Sequence, residues 1–187
     1  ITEVEADAWD ETFAIDVRSV FLGIKHAARV MIAAGKGGSI INTASVAGLG
    51  GGAGPVAYSS ARAAVANLSV TTALELAPHR IRVNAICPGV IYTPLMHQGR
   101  EDEADEWVQA LQPWPDRGLP EHIAGAALFL ACDDSTFVTG QAIAVDDAVR
   151  TAALAHVEKL ETFCRDIVGC HVVLSQPHRH PRRGRRA

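Results

Sequence analysis

The sequence predicts an α/β fold in which helices cover a parallel sheet, with a helix–strand basic tail appended. Three observations carry this. Long runs of helical period alternate with short β-rich runs in the order helix, strand, helix, strand, helix, strand, which implies βαβ units. Aromatics are only 5% of the chain against 48% apolar residues, so the core is built from Ala, Val, Ile and Leu, small enough to bring helices close to a sheet. The length of 187 residues with 20% charged suits one ordinary globular domain.

Trp9 to Ala34 reads as a helix, bent near Asp16. Phe13, Val17, Val20, Phe21, Ile24, Ala28 and Met31 recur at three- and four-residue steps, and Gly35 ends the run. Ser39-Ile-Ile-Asn-Thr has the length and flanks of a buried strand, and a small-residue loop follows from Ser45 to Pro55. Tyr58 to Ala77 is a second long helix, stopped by Pro78. Ile81 to Ile86 is the next strand, ended by Cys87-Pro88-Gly89. Residues 95–117, polar and acidic around Trp107 and then Pro113-Trp114-Pro115, read as a mobile lid with a short helix. Pro120 sits at the first-turn position of a helix that runs to Ala131. Val138 to Val145, with a turn at Gly140, gives the last strand.

The net charge of −4 hides an asymmetry. Residues 178–187 hold five arginines (Arg179, Arg182, Arg183, Arg185, Arg186) and no acid. Taking those five from the 17 basic residues leaves 12 against 21 acidic ones, so the remainder carries −9. Such a tip on an acidic body reads as a solvated tail, with a polyanion-binding segment as the alternative. Cys87, Cys132, Cys164 and Cys170 show no C-x-x-C pair and no disulfide framework, so a reduced, cytoplasmic setting is expected. No apolar run reaches the ~20 residues that span a bilayer, and no leader opens the chain. The opening, which reads as mid-fold, suggests further sequence upstream.

One constellation carries chemistry. Ser45 follows the first strand directly, and Tyr58 lies 13 residues later near the start of a long helix. Arg62 stands one helical turn beyond Tyr58, and the second strand ends at Pro88-Gly89-Val90-Ile91-Tyr92-Thr93. In a parallel α/β sheet, ligands bind beyond the carboxyl ends of the strands, where both segments deliver polar groups. A phenol ionises near ~10, too high for an efficient base at neutral pH. A fixed cation one turn away stabilises phenolate, and a neighbouring hydroxyl can hold a substrate oxygen. Tyr58, Arg62 and Ser45 fit those three roles in proton exchange with an alcohol or ketone.

The stretch SIINTASVAGLGGGAGPVAYSSARAAVANL, residues 39–68, resembles the active-site segment of the short-chain dehydrogenase/reductase family, whose pattern is Asn-x-x-Ser, a 13-residue gap and Tyr-x-x-x-Lys. TFAIDVRSVFLGIKHA, IRVNAICPGVIYTPL and PEHIAGAALFLACDDSTFVTGQAIAVD continue the likeness in family order, over residues 1 to about 147. The resemblance implies the C-terminal half of a Rossmann-type, doubly wound parallel sheet over residues 1–149, with 150–187 as an appended tail. It implies an NAD- or NADP-dependent oxidoreductase acting on a small alcohol or ketone, with Tyr58 as acid/base and Ser45, Arg62 and Asp16 completing the catalytic group. Cofactor contacts are implied for Tyr58, Arg62, Pro88, Gly89, Ile91 and Thr93. It also implies a homo-oligomer assembled through helices 9–34 and 57–77.

Two departures stand inside the site. The family's lysine is Arg62 and its helix asparagine is Asp16. Arginine keeps the charge but is planar and never gives up its proton. Asp16 is expected either to pair with Arg62, partly cancelling the cation that serves Tyr58, or to cap or bend its own helix while facing water. The family's glycine-rich phosphate loop and its ribose-reading residue are absent from these 187 residues, so the chain alone is expected to bind the cofactor weakly. Gly48-Leu-Gly50-Gly51-Gly52-Ala53 matches G-x-G-x-x-A, but Gly54-Pro55 intervenes before the helix and Glu75 lies within it, so a substrate-side loop is the better reading.

His97, Glu101, Asp102 and Glu103 read as a solvated lid face rather than a metal cluster, and Trp107 and Trp114 as candidates for lining the pocket. HVEKLETFCRDIVGCHVVLSQPHRH-PRRG, from residue 156, resembles part of the ribosome hibernation-promoting factor family, with a helix over Ala152–Arg165 and a strand over Cys170–Ser175. Cys164, Cys170, His171, His178 and His180 match no zinc template, so no metal is expected. Two other functions compete with catalysis: an inactive remnant acting only through oligomerisation, and an RNA- or ribosome-associated fusion acting through tail 178–187. Nucleic acid is expected to bind only through that tail, and no membrane partner is expected.

Overall fold

The computed structural model describes residues 1–51 and 53–148. The expectations for the tail, which concern its cysteines and histidines, its arginines and its second family likeness, lie outside the described residues.

A parallel sheet in the order β1-β2-β3 forms the centre, with β1 Gly38–Thr43, β2 Ile81–Pro88 and β3 Ala142–Val145. Gly38 pairs with Ile81 and Thr43 with Ile86, while Ala85 pairs with Ala142 and Pro88 with Val145. All three carboxyl ends therefore open on one rim. β2, between two partners, is buried almost throughout, which is why its residues form a near-continuous apolar run. Asn84 is the polar exception. It is fully buried, donates from Nδ2 to the Val138 carbonyl at 2.9 Å and accepts the Gln141 N–H at 3.0 Å, pinning the loop before β3.

Helix α1 (Ala6–Phe13) passes through one wide π turn, Ala14–Arg18, into α2 (Ser19–Ala34). Asp16, near which a bend is expected, lies in this turn, a feature frequent at functional sites. Gly35 ends α2 in the left-handed region at φ 67, its N–H reaching the Met31 and Ile32 carbonyls. Helix α3 (Val56–Leu76) starts two residues earlier than its sequence suggested, right after Pro55. Its buried stripe, Ala61, Val65, Ala66, Ser69 and Ala73, steps by three and four with small residues and so lies close on the sheet. Ile24 and Ala28 of α2 and Ala73 of α3 pack on Ile40, Ile81 and Val83. Val65 and Ala66 cover Ala85 and Cys87.

The segment expected to be a mobile lid contains α4 (Pro94–His97) and α5 (Glu101–Leu111). Ala104 and Val108, one turn apart, bury the apolar side of α5, and its three acids in the first turn suit the positive end of the helix dipole. Helix α6 (Pro120–Ala131) has the expected bounds, with Pro120 in its first turn. Ser39 of β1 donates to the Leu130 carbonyl of α6 at 2.8 Å.

The last strand is shorter than expected. β3 begins at Ala142, not Val138, because Val138 belongs to the turn whose carbonyl Asn84 holds and Gly140 adopts φ 69. Among the described residues no helix is long and apolar enough to cross a membrane.

Candidate active site

Ser45 lies two residues beyond β1. It caps a single 3-10 turn, Val46–Gly48, its Oγ accepting the Ala47 N–H at 3.1 Å. Because that oxygen acts as acceptor, the hydroxyl proton is left to donate elsewhere. The side chain is nearly buried at 8% exposure.

The serine turn rests directly on the tyrosine helix. A Cβ built on Gly48 would stand 2.5 Å from the Arg62 carbonyl carbon and 2.6 Å from the Ala63 nitrogen, so only glycine permits this approach. At the other end of the loop, a Cβ on Gly54 would lie 3.3 Å from Tyr58 Cδ1 and 3.5 Å from Ala47 Cβ. Ser59 Oγ donates to the Gly54 carbonyl at 3.2 Å and holds the loop there. Ser45's turn and the Tyr58 ring are thus neighbours on one side of the molecule. The G-x-G-x-x-A match opens no helix: Gly48 closes a 3-10 turn and α3 starts only at Val56.

Arg62 is the hub of the constellation. Its guanidinium carbon sits 4.9 Å from the Tyr58 ring centroid. Nη1 donates to the Thr43 carbonyl at 3.2 Å, at the end of β1, and Nη2 donates to Asp16 Oδ1 at 2.9 Å. The two side chains are 21% and 15% exposed, so this is a largely desolvated ion pair rather than a surface one. Of the two expectations for Asp16 the first holds: it pairs with Arg62 from within the π turn, and at 15% exposure it does not face water. Arg62 Nε is buried without a hydrogen-bond partner, leaving one donor unsatisfied one turn from Tyr58.

The residues expected at a cofactor lie along the β2 end of the same rim. Pro88 closes β2, and the Gly89 N–H donates to the Val145 carbonyl at 3.0 Å. A Cβ on Gly89 would press on the Asp146 carboxylate and stand 3.2 Å from that residue's Cα. Thr93 caps α4 by accepting the Met96 N–H on Oγ1 at 3.3 Å. Ile91 lines a cleft of about 500 Å³ together with Val90, Trp114, Arg117, His122 and Val145. Ser45, Tyr58 and Arg62 are not among the residues lining that cleft, so the rim carries two adjacent features: the Ser–Tyr–Arg group above β1 and the cleft above β2 and β3. Of the two tryptophans expected at a pocket, Trp114 lines this cleft, and Trp107 does not.

Arg117, which lines the cleft, was not among the expected site residues, and Tyr92 was expected only as part of the strand end. The signal was Gly118, whose absent side chain lets the chain pass against the Val90 carbonyl and brings its neighbour Arg117 to the loop after β2. Glu101, Asp102 and Glu103 are exposed, and among the described residues no His, Cys, Asp or Glu group is placed to hold a metal.

Comparison with known proteins agrees with this fold. A family model described as "Enoyl-(Acyl carrier protein) reductase" matches residues 1–148. A (3R)-3-hydroxyacyl-CoA dehydrogenase from Rattus norvegicus is 36% identical over 145 residues, covering 78% of this chain and 56% of that protein. A short-chain type dehydrogenase/reductase from Mycobacterium ulcerans superposes with a TM-score of 0.74 at 36% identity, covering 81% of this chain and 55% of that one. A 4-hydroxyisoleucine dehydrogenase complexed with NADH superposes at 0.71 with 27% identity, covering 78% and 60%. The chain therefore spans a little over half the length of the relatives it matches. With a matched stretch that runs from residue 1 to residue 148 and a parallel sheet carrying the serine turn, the tyrosine helix and the Pro-Gly rim in order, the chain belongs to the short-chain dehydrogenase/reductase family.

Proposed function

We propose that the chain is the catalytic half of an NAD- or NADP-dependent oxidoreductase that interconverts a small secondary alcohol and its ketone, with Tyr58 as the acid/base. The observation that carries this is Arg62, tied at once to the end of β1, to Asp16 and against the Tyr58 ring, beside the serine turn. Tyr58 exchanges a proton with the substrate oxygen. Ser45 donates its free hydroxyl proton to that oxygen and orients it. The guanidinium stabilises negative charge as it develops on the phenol, and Asp16 holds the guanidinium while offsetting part of its charge.

A nicotinamide cofactor suits these residues. Bound there, it supplies the hydride acceptor or donor. The unsatisfied Arg62 Nε is a donor suited to a ribose hydroxyl, and Pro88, Gly89, Ile91 and Thr93 present backbone and side-chain groups on the same rim. The proposed cofactor is NAD or NADP, and the proposed setting is cytoplasmic. The related NADH complex supports nicotinamide use in general.

Apolar side chains exposed on the two long helical segments favour a second reading alongside the first, assembly with another copy. Ile15 (62% exposed), Val30 (71%) and Leu74 (76%) stand on the segments expected at that interface. Sedimentation equilibrium tests it: Leu74→Glu is expected to yield monomer, and a wild-type chain that is already monomeric removes the reading.

The enzymatic reading is tested by hydride transfer from millimolar NADH or NADPH to a panel of cyclic and linear ketones. Tyr58→Phe is expected to lower the rate by about 10²-fold or more, the usual contribution of a positioned acid/base group. Equal rates in wild type and Tyr58→Phe would end the assignment.

A further inference from the structure

The loop after β2 and the lid helix α5 meet at one aromatic ring. Tyr92 lies between Ile91 and Thr93, two of the residues read above as facing the cofactor. Its N–H donates to the Gly118 carbonyl at 2.8 Å and its hydroxyl donates to the Glu101 carbonyl, in the first turn of α5, at 3.2 Å. The Arg117 guanidinium covers its ring at 4.4 Å from the centroid, and the His97 ring stands 5.1 Å away at a 30° tilt.

Arg117 itself reaches across to α5, where it forms an ion pair with Asp105. The approach of the chain to Arg117 is fixed as well. Gln112, buried at the end of α5, donates from Nε2 to the Trp114 carbonyl at 2.9 Å and also to that of Asp116. A planar guanidinium can lie flat on a phenol ring and turn its edge to a carboxylate at the same time. A lysine ammonium, a point charge, cannot do both.

We propose that Arg117 is a positioning residue that clamps α5 to the Pro88–Thr93 segment through Tyr92, and so sets how firmly that segment is held against its ligand. This rests on the oxidoreductase reading for the identity of the ligand, whereas the clamp itself is a property of the chain. Holding Tyr92 by its N–H, its hydroxyl and its ring face immobilises Ile91 and Thr93 on either side. The pairing with Asp105 ties the same group to α5, and Arg117 forms part of the cleft wall beside Trp114.

Amide hydrogen exchange on the full chain tests the clamp without any ligand. In Arg117→Gln, exchange of the Tyr92 amide and of the α5 amides is expected to speed up about tenfold, with β2 unchanged, as local rather than global opening requires. Arg117→Lys is expected to recover protection in α5 but not at Tyr92, because it keeps the ion pair and loses the stack. Exchanging the partners, Asp105→Arg with Arg117→Asp, is expected to give the same split. The proposal is overturned if Arg117→Gln leaves Tyr92 and α5 within about twofold of wild type, or if β2 accelerates equally. It is also overturned if lysine restores Tyr92 in full.

Saturation-transfer NMR with NADH forms the second arm. Arg117→Gln is expected to reduce the signal of the nicotinamide protons, and an unchanged signal refutes the role toward the ligand. Should wild type give no NADH signal at all, the oxidoreductase reading falls while hydrogen exchange still decides the clamp.

Discussion

The Asp16–Arg62 pair offers a quantitative test, because the family pattern lacks its acidic member and both side chains are about four-fifths buried. The contact is a charge-assisted hydrogen bond at 2.9 Å. Two unit charges ~4 Å apart attract by about 4 kcal/mol at an effective dielectric constant of ~20. Desolvation of both groups removes much of that, and hydrogen bonds to charged groups contribute a net of about 1.5–3 kcal/mol. A double-mutant cycle of Asp16→Asn, Arg62→Gln and the pair together, read by urea unfolding, is therefore expected to return a coupling energy of about 1.5–3 kcal/mol. Arg62→Gln is the costlier single change, since it leaves Asp16 charged and also removes the bond to the Thr43 carbonyl. A coupling below about 0.5 kcal/mol, the value of an exposed pair, would refute the reasoning. Under the proposed function, the same pair predicts a kinetic effect in a full-length protein. Asp16→Asn with Arg62→Lys restores the family's residues and an uncancelled cation beside Tyr58. If about 1.4 kcal/mol of that charge is released to the transition state, turnover rises about tenfold, and no gain would mean that Asp16 does not offset Arg62 during catalysis.

Gly48→Ala drives a methyl group into the backbone of α3 at Arg62, and overpacking of this kind costs about 1–3 kcal/mol, so the urea midpoint is expected to fall; an unshifted midpoint would mean that the turn does not seat on the helix. Ile81→Ala empties a site that is 1% exposed at the start of β2 and is expected to cost about 2–5 kcal/mol by the same measurement, with a loss under 1 kcal/mol contradicting its place in the core. Burial raises Tyr92 above the usual phenol value of 10.0, and the nearby carboxylates of Asp105, Asp102 and Glu101 push the same way, while the Arg117 cation opposes them. The sign follows: stability contributed by the neutral phenol is fully present below that usual value and is lost as pH rises through the higher folded one. Alkaline titration of phenolate absorbance is expected to show one tyrosine ionising late, abolished in Tyr92→Phe and moved later still in Arg117→Gln; a normal titration would refute the burial.

Much of the fold was legible because local chemistry decided it. The stripes of Ala and Val in α3, the apolar run of β2 and Pro120 at the head of α6 state their periods and boundaries within a few residues of chain. The candidate site was half legible. Ser45, Tyr58 and Arg62 announce themselves by spacing, since one strand end and one helical turn suffice to bring such residues to a common rim. Arg117 and Tyr92 did not, because they lie 25 residues apart and meet only where Gly118 lets two loops touch. Val138 misled for a related reason: its β propensity yields to the buried amide of Asn84, a partner 54 positions away.

The sequence by itself determined the alternation of strands and helices and the residue types proposed for proton exchange, for these depend on neighbours a few positions apart. Only the tertiary structure decided that Asp16 joins Arg62 across 46 positions and that Trp114 rather than Trp107 lines the cleft. Contacts between distant segments depend on how closely backbones approach, and a sequence pattern records that spacing only at its glycines.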